Sequence, residues 1–395
     1  MGKYIHKLIT ALRMLWYAVK LGGAYILSAP LRLLPRYQNI WLISERGDDA
    51  RDNGFFFFDY LNRRFPGCSC YYVISRSSAD YARACAAGKV VVTNSWKHFV
   101  LFALAKVRIS SHAWGGDIPC VEYYQKLGLA RLSRKKTVFL QHGITKDHQP
   151  GLCHTAIKPD LFICGARPEY DYIRESFGHP EGVVKYTGFA RFDRLLDSQT
   201  KKQILVMPTF RKWLKGCKKE EFLQSDYSAM WQRVLQSPEL ASLLEENDLE
   251  LVFYPHYEIQ PHVEAFKTAD PRIQIADIAH FDVQQLLKES KLLITDFSSV
   301  FFDFAYMGKP VIYYQFDRDR YIRDHYDFTK GYYSYDRLGF GPVCTTQEGL
   351  IECVKAAVQG DFAQPDTYAR RTEQFFELRD THNCDRIYDA IVDLL

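Results

Sequence analysis

Short, unbroken apolar runs alternate with longer stretches of helical periodicity along most of the chain. "NIWLISE" (39–45) precedes the helix-like "GFFFFDYLNRRF" (54–65), and "CYYVIS" (70–75) follows. "KVVVT" (89–93), a helical stretch over 95–106, "VRISS" (107–111), "KTVFLQHG" (136–143), "LFICG" (161–165) and "VVKYTG" (183–188) complete a first set. After the polar stretch Asp197–Lys202 a second set begins: "QILVMPTFR" (203–211), "LELVFYPH" (249–256), "IQIAD" (273–277), "KLLIT" (291–295) and "PVIYY" (310–314). Strand, helix and strand in repetition predict parallel sheets. The intervening helices then cover both sides of each sheet. An α/β fold of two Rossmann-like domains with parallel sheets facing across a cleft is expected, spanning 37–196 and 203–365. Helices over 366–395 are expected to pack back on the first domain. A length of 395 residues suits two cores better than one.

The segment before the first strand, residues 1–36, follows a different pattern. Leu8, Leu12, Leu15 and Val19 recur at helical spacing, with Trp16 and Tyr17 suited to an interface. Lys3, Lys7, Arg13, Lys20, Arg32 and Arg36 all precede the first acidic residue, Glu45. Leu21–Leu31 is the longest uncharged run, too short for the roughly 20 residues that span a bilayer. Arg13 and Lys20 interrupt any signal-peptide core. The segment is expected to be an amphipathic helix that associates with an anionic membrane surface, as a peripheral protein of the cytoplasmic face. The competing reading is a helix packed on the protein's own core.

Net charge is only +4, and six basic residues of the N-terminal segment exceed it, so the remainder is slightly acidic. That argues against a nucleic-acid-binding protein. Ten cysteines include no Cys-x-x-Cys pair or regular ligand spacing, so buried free thiols in a reducing compartment are expected and no metal site can be argued.

Candidate chemistry gathers just after the predicted strands, where ligands of parallel sheets bind. "VFLQHGITKD" places His142-Gly143 after a strand, a titratable ring beside a residue that permits close backbone approach. "LVFYPHYE" places His256 likewise, and "LVMPTFRKW" ends in Thr209 and Arg211. In "LLITDFSSVFFDF", a strand hands over to an apolar helix through Thr295-Asp296-Phe297-Ser298-Ser299. The first amides of that helix are available to an anion such as a pyrophosphate, or are capped by Asp296 and Ser298; both readings fit the stretch alone. Together these parts suit phosphoryl or glycosyl transfer from a nucleotide diphosphate. Neither a Walker A sequence nor a kinase-type set is present.

"HGITKD", "MPTFRKW", "YPHYE" and "LLITDFSSVFFDFAYMGKPVIYYQFDRDRY", in this order, resemble the CDP-glycerol glycerophosphotransferase family of teichoic-acid and capsule synthesis. The early "SERGDDARDNGFFFFDYL" and late "GPVC" fit the same resemblance, which covers roughly residues 40–385. It implies a GT-B architecture with an acceptor domain first and a CDP-polyol donor domain second. It implies transfer of a polyol phosphate, glycerol phosphate foremost, from a CDP-linked donor to a hydroxyl of a lipid-linked saccharide or polymer, with release of CMP. No cofactor is expected, and the sequence, without a DxD-type pair, gives no support for a metal. By the family's motifs His142 and His256 are the catalytic histidines, and Gly143, Arg211, Thr295, Ser298 and Ser299 hold the donor phosphates. Thr209, Asp296, Lys146 and Lys330 are further candidates. Lys146 lies one position closer to the histidine than the family's lysine. Lys330 replaces an arginine whose bidentate contact a lysine cannot reproduce. His142 is expected to be the general base, Asp296 a cap or loop brace, and Asp303 a structural residue. Alternatives are a GT-B glycosyltransferase using a nucleotide-sugar, a nucleotide-sugar epimerase, and an inactive nucleotide-binding member. The identity of the polyol and of the acceptor is not written in these motifs.

Overall fold

The computed structural model of the chain describes residues 2–113, 118, 135–197, 199–325 and 329–395, with residues 2–7 by backbone only. The side chains of Lys3 and Lys7, and Cys120, lie outside the described residues. Two compact units emerge. The first comprises residues 1–144, 150–193 and 380–395, and the second comprises 145–149 and 194–379.

The first unit is built on a parallel sheet of seven strands: β1 (Ile40–Ser44), β2 (Ser69–Ile74), β3 (Val90–Val92), β4 (Ala105–Ser110), β5 (Lys136–Phe139), β6 (Leu161–Cys164) and β7 (Val184–Tyr186). Their spatial order is β3-β2-β1-β4-β5-β6-β7. Every residue of β1 and β6 is buried, which is what a strand covered by helices on both faces demands of its sequence. The helix Asn53–Arg64 puts Phe55, Phe56, Phe57, Phe58 and Leu61 into the core, and its Asp52 cap accepts a hydrogen bond from the Asn53 amide. The helix Asn383–Leu394 also belongs to this unit. It is tied in by Asp193, which accepts from the amides of Asn383 and Cys384 at 2.9 Å each. Tyr388 stacks on Trp41 and Phe65.

The second unit carries a six-stranded parallel sheet of β8 (Gln203–Met207), β9 (Glu250–Phe253), β10 (Ile273–Ile275), β11 (Leu292–Thr295), β12 (Val311–Tyr314) and β13 (Val343–Cys344), ordered β10-β9-β8-β11-β12-β13. Its core joins Trp231, Leu244, Phe253 and Ile294. The helix Asp366–Phe375 lies in this unit, with Phe375 against Phe302 and Phe340. The strand β13 was read in the sequence only as part of "GPVC"; its two residues are too few to show a run.

The N-terminal helix Gly2–Leu31 has one packed face and one exposed apolar face. One face, with Met14, Tyr17, Leu21, Ala24 and Tyr25, packs on the cluster around Phe99 of the helix Trp96–Leu104. Lys20 donates to the Asn94 carbonyl at 2.7 Å and lies over the Phe99 ring, while Arg32 donates to the Ala103 carbonyl. The other face leaves Leu8, Leu12, Leu15, Trp16, Val19 and Ile26 exposed. Among the described residues no helix is long and apolar enough to cross a membrane.

Candidate functional site

Both sheets reverse their strand order, between β1 and β4 in the first and between β8 and β11 in the second. Ladder register brings the strand ends level: Ser44 pairs with Ser110, Ser110 with Phe139, and Met207 with Thr295. Side chains just beyond these positions therefore collect at the carboxyl edge, at a topological switch point.

In the first unit the loop after β1 is shaped by Glu45, a fully buried carboxylate. It accepts the amides of Arg51, Asp52 and Phe55 at 3.0, 2.9 and 2.8 Å, holding the chain into the helix Asn53–Arg64. Burial, then the charges of Asp52 and Asp49, push its pKa well above the usual carboxylate range, against the lowering pull of those amides.

The neighbouring loop after β5 carries His142, and its backbone is fixed on both sides. Gln141 adopts a left-handed φ of 57°, a conformation disfavoured for a non-glycine residue. It persists because surrounding bonds over-determine it. Its Nε2 donates to the Ile163 carbonyl (2.7 Å) and Glu169 Oε1 (3.1 Å), and its carbonyl accepts from Asn53 Nδ2 (2.7 Å). Arg191 then donates through Nη1 to the His142 carbonyl (3.2 Å) and to Asp52 (2.9 Å). Held in this way, the His142 residue is exposed, with the half-buried Gly143 behind it.

One nitrogen of the His142 ring donates to the Ser111 carbonyl. In the neutral ring the other nitrogen then carries the lone pair, because an imidazole has one donor and one acceptor. Burial of the packed face, followed by the guanidinium charges of Arg191 and Arg46, lowers its pKa to about 4. Water at the open edge moderates the burial contribution. His112, at the end of β4, stacks on His142 with ring centres 4.9 Å apart and planes 12° from parallel.

In the second unit the polar strand ends are turned inward. Arg211 and Asp296 side chains have no exposure at all, and they pair at 2.9 Å. Arg211 also makes a bidentate contact to Asp317 (2.7 and 2.9 Å) and donates to the Thr209 carbonyl (2.7 Å). Burial opposes its charge, but Asp296 and Asp317 more than offset that and raise its pKa further. Asp296 Oδ1 accepts the amides of Thr209 (2.8 Å) and Phe297 (2.6 Å), locking the end of β8 to the end of β11. Thr295 donates its hydroxyl to the Met207 carbonyl at 2.6 Å. Arg211 and Thr295, expected to hold the donor phosphates, are both buried in the structure. Both are sealed inside and support the loop, because paired carboxylates and a sheet carbonyl already occupy them. Thr209 is likewise buried, its hydroxyl without a hydrogen-bond partner.

Above this brace the open side chains are His256, Ser298, Ser299 and the residues around Lys146. His256 is half-buried, stacks on Phe210 at 4.8 Å, and its Nδ1 accepts the Glu258 amide at 3.3 Å. That bond leaves the neutral ring's proton on Nε2, a donor. His325, edge-on to Phe210 at 4.9 Å, is set the same way by the Lys212 amide (3.2 Å). Its pKa falls to about 4 through burial and then the charges of Arg211, Lys146, Lys212 and His256, which marks this as an electropositive corner. Ser299 is exposed, and Ser298 Oγ accepts the Val300 amide at 3.4 Å, where the two-turn helix Val300–Tyr306 begins. Asp303 is buried in that helix.

The two lysines that depart from the expected motif belong to one place. Residues 145–149 count with the second unit, and His148 forms an antiparallel bridge with Thr329. Asp147 pairs with Lys146 at 2.8 Å and accepts the Gly331 amide at 3.3 Å. A Cβ on Gly331 would lie 2.4 Å from the Lys146 carbonyl oxygen, so only glycine fits. Lys330 is exposed beside this bridge. His112, Arg46, Arg191 and His325 were not singled out from the sequence. His112 obeys the same strand-end rule that found His142, whereas Arg191 lies in the short 3-10 helix Ala190–Arg194, which has no local signal. Among the described residues no group of three His, Cys, Asp or Glu side chains is arranged to hold a metal.

The profile of the CDP-glycerol:poly(glycerophosphate) glycerophosphotransferase family matches residues 27–393. The minor teichoic acid biosynthesis protein GgaB of Bacillus subtilis (strain 168) is 33% identical over 368 residues, covering 90% of this chain and 40% of its own length. This chain thus spans well under half of that relative. The teichoic acid poly(glycerol phosphate) polymerase of Bacillus spizizenii is 26% identical over 375 residues, 90% of this chain and 84% of that protein. The solved wall teichoic acid polymerase TagF superposes with a TM-score of 0.66 at 17% identity, covering 97% of this chain and 98% of TagF. The likeness to TagF is one of fold, α/β with two parallel sheets, and it agrees with the GT-B-like class expected. The chain belongs to the CDP-glycerol:poly(glycerophosphate) glycerophosphotransferase family.

Proposed function

We propose that this family member transfers a polyol phosphate, glycerol phosphate foremost, from a CDP-linked donor to a hydroxyl of a lipid-linked acceptor in teichoic-acid-like or capsular polymer synthesis. The acceptor oxygen forms a bond to the distal phosphorus of the donor. The bond from that phosphorus to the CMP oxygen breaks, and CMP departs. His142 takes the hydroxyl proton on the nitrogen that does not face Ser111. His256 and His325, presenting Nε2–H, stabilise the phosphoryl oxygens with Lys146, Lys212 and the Ser298-Ser299 turn.

The observation that carries this reading is the difference in how the rings are set. His142 gives its N–H to a carbonyl and is left as an acceptor, while His256 and His325 receive amides and are left as donors. A base needs the first arrangement and an anion clamp the second. Arg211 acts here as the support of the clamp. The exposed apolar face of Gly2–Leu31, with Trp16, supports peripheral docking on a membrane at its cytoplasmic face, where a lipid-linked acceptor is presented.

The test is to offer the purified protein CDP-glycerol, CDP-ribitol and nucleotide-sugars with lipid-linked acceptors and identify the nucleotide released. CMP from a CDP-polyol is the expected result; UDP or GDP from a sugar donor overturns the reading.

A further inference from the structure

His112 has a setting of its own, distinct from those of the other rings. Arg46 donates through Nε to His112 Nε2 at 3.0 Å. A guanidinium has no acceptor, so His112 Nε2 is bare and the ring's proton sits on Nδ1, 3.3 Å from the Ser111 hydroxyl. A second proton on this ring would have to displace Arg46. The ring is thus a flat, uncharged surface lying on His142, and the adjacent Ser111 supplies the carbonyl that orients His142.

We propose that His112 is a positioning residue: held uncharged by Arg46, its ring is the platform that keeps His142 in place and accepts the charge of His142 over its face once the proton is taken. The proposal rests on the reading of His142 as the base. Charged groups that face the pair are Arg46 and Asp49 from the loop after β1, and Arg191, which is itself paired with Asp52. With two guanidinium groups nearby, a charged His112 would add a third cation against His142, whereas a neutral ring face attracts one. Burial, then His142 and Arg46, all lower the affinity of His112 for a proton, in the same direction as the geometry.

The test compares His112→Ala with His112→Phe, which keeps a flat neutral ring. The alanine variant is expected to lose about 10–100-fold in kcat with the donor KM within about twofold, because the base is misplaced while the donor contacts are intact. Its acid limb in kcat/KM should move, because His142 gains hydration and loses the ring face that attracts its charge. The phenylalanine variant should recover most of kcat and keep the limb in place. Damage by phenylalanine equal to that by alanine, or an alanine variant with unchanged kcat and limb, overturns the proposal. Should the alanine variant fail to melt cooperatively, His112→Leu, which fills the space without a ring, replaces it. Nitrogen-15 NMR of labelled histidines reads the same claim without turnover. A neutral His112 with bare Nε2 at pH 6 is expected, and a protonated one overturns the platform. Absence of CMP release by the unaltered protein would instead fail the functional reading alone, with the NMR result still deciding the role of His112.

Discussion

The strand ends of the two sheets use similar residues under opposite conditions of solvent access. Beyond β5, a strained Gln141 and a web of backbone bonds push a histidine out to water. Beyond β8 and β11, an arginine and an aspartate, more polar than any imidazole, are withdrawn completely from it. A buried ion pair of this kind adds little net stability over an apolar filling, but it fixes geometry, and removing one partner strands the other. At these strand ends chemistry and support are therefore separated: solvent reaches the rings, and the Arg211–Asp296 pair is structural. A polar motif residue does not by its type reveal which of the two it is; its exposure does.

Substitutions can break or sharpen that contrast. The largest effect is expected from Arg211→Ala, which leaves Asp296 and Asp317 without their cation. Loss of about 3–5 kcal/mol in a urea unfolding curve is predicted, with activity falling because the fold does. A stable, soluble Arg211→Ala protein that has lost only donor binding would make Arg211 a direct ligand after all.

His142→Ala should leave the unfolding curve nearly unchanged and reduce CMP release by about 10²–10⁴-fold, with donor affinity held within about twofold. Its lowered pKa has a definite sign in the unaltered protein. The base works when neutral, and lowering its pKa keeps it neutral at lower pH. The acid limb of kcat/KM should therefore lie below the ordinary histidine value of 6.5, toward about 4. A limb at or above 6.5 would mean that the positive charges of Arg46 and Arg191 are not acting on the ring.

Gly331→Ala tests the strap of residues 145–149. The new methyl group meets the Lys146 backbone, and a loss of about 1–3 kcal/mol is expected, read by thermal melting. Smallest is Ser299→Ala, where one exposed hydroxyl is removed. A rise of about 2–10-fold in donor KM with unchanged melting temperature is predicted. No change in KM would remove Ser299 from the anion contacts.

Much of the fold was legible because parallel strands covered on both sides are buried throughout and largely apolar, as β1, β6, β11 and β12 are. The strand ends were legible for the same reason: a polar residue directly after such a run has few places to be. His142 and His256 were found in that way, and His112 obeys the rule equally. The fate of Arg211 was not legible, because its partner Asp317 is 106 residues away and no local spacing connects them. Nor was the joining of Lys146 to the Lys330 region, which depends on a bridge between His148 and Thr329. The N-terminal helix was read as either docking outward or packing inward; its periodicity serves both, since Leu15 and Trp16 face out while Tyr17 and Leu21 face in.

Residues 380–395 complete the unit that the chain began more than three hundred residues earlier. On a ribosome adding roughly 5–20 residues per second, that first body must wait through the synthesis of the whole second one before its closing helix is available. Until then the Asp193 carboxylate lacks Asn383 and Cys384, and Trp41 lacks the ring of Tyr388. Completion of the first unit is thus coupled to production of the second, and a nascent chain halted before residue 380 lacks the helix that Asp193 and Trp41 hold.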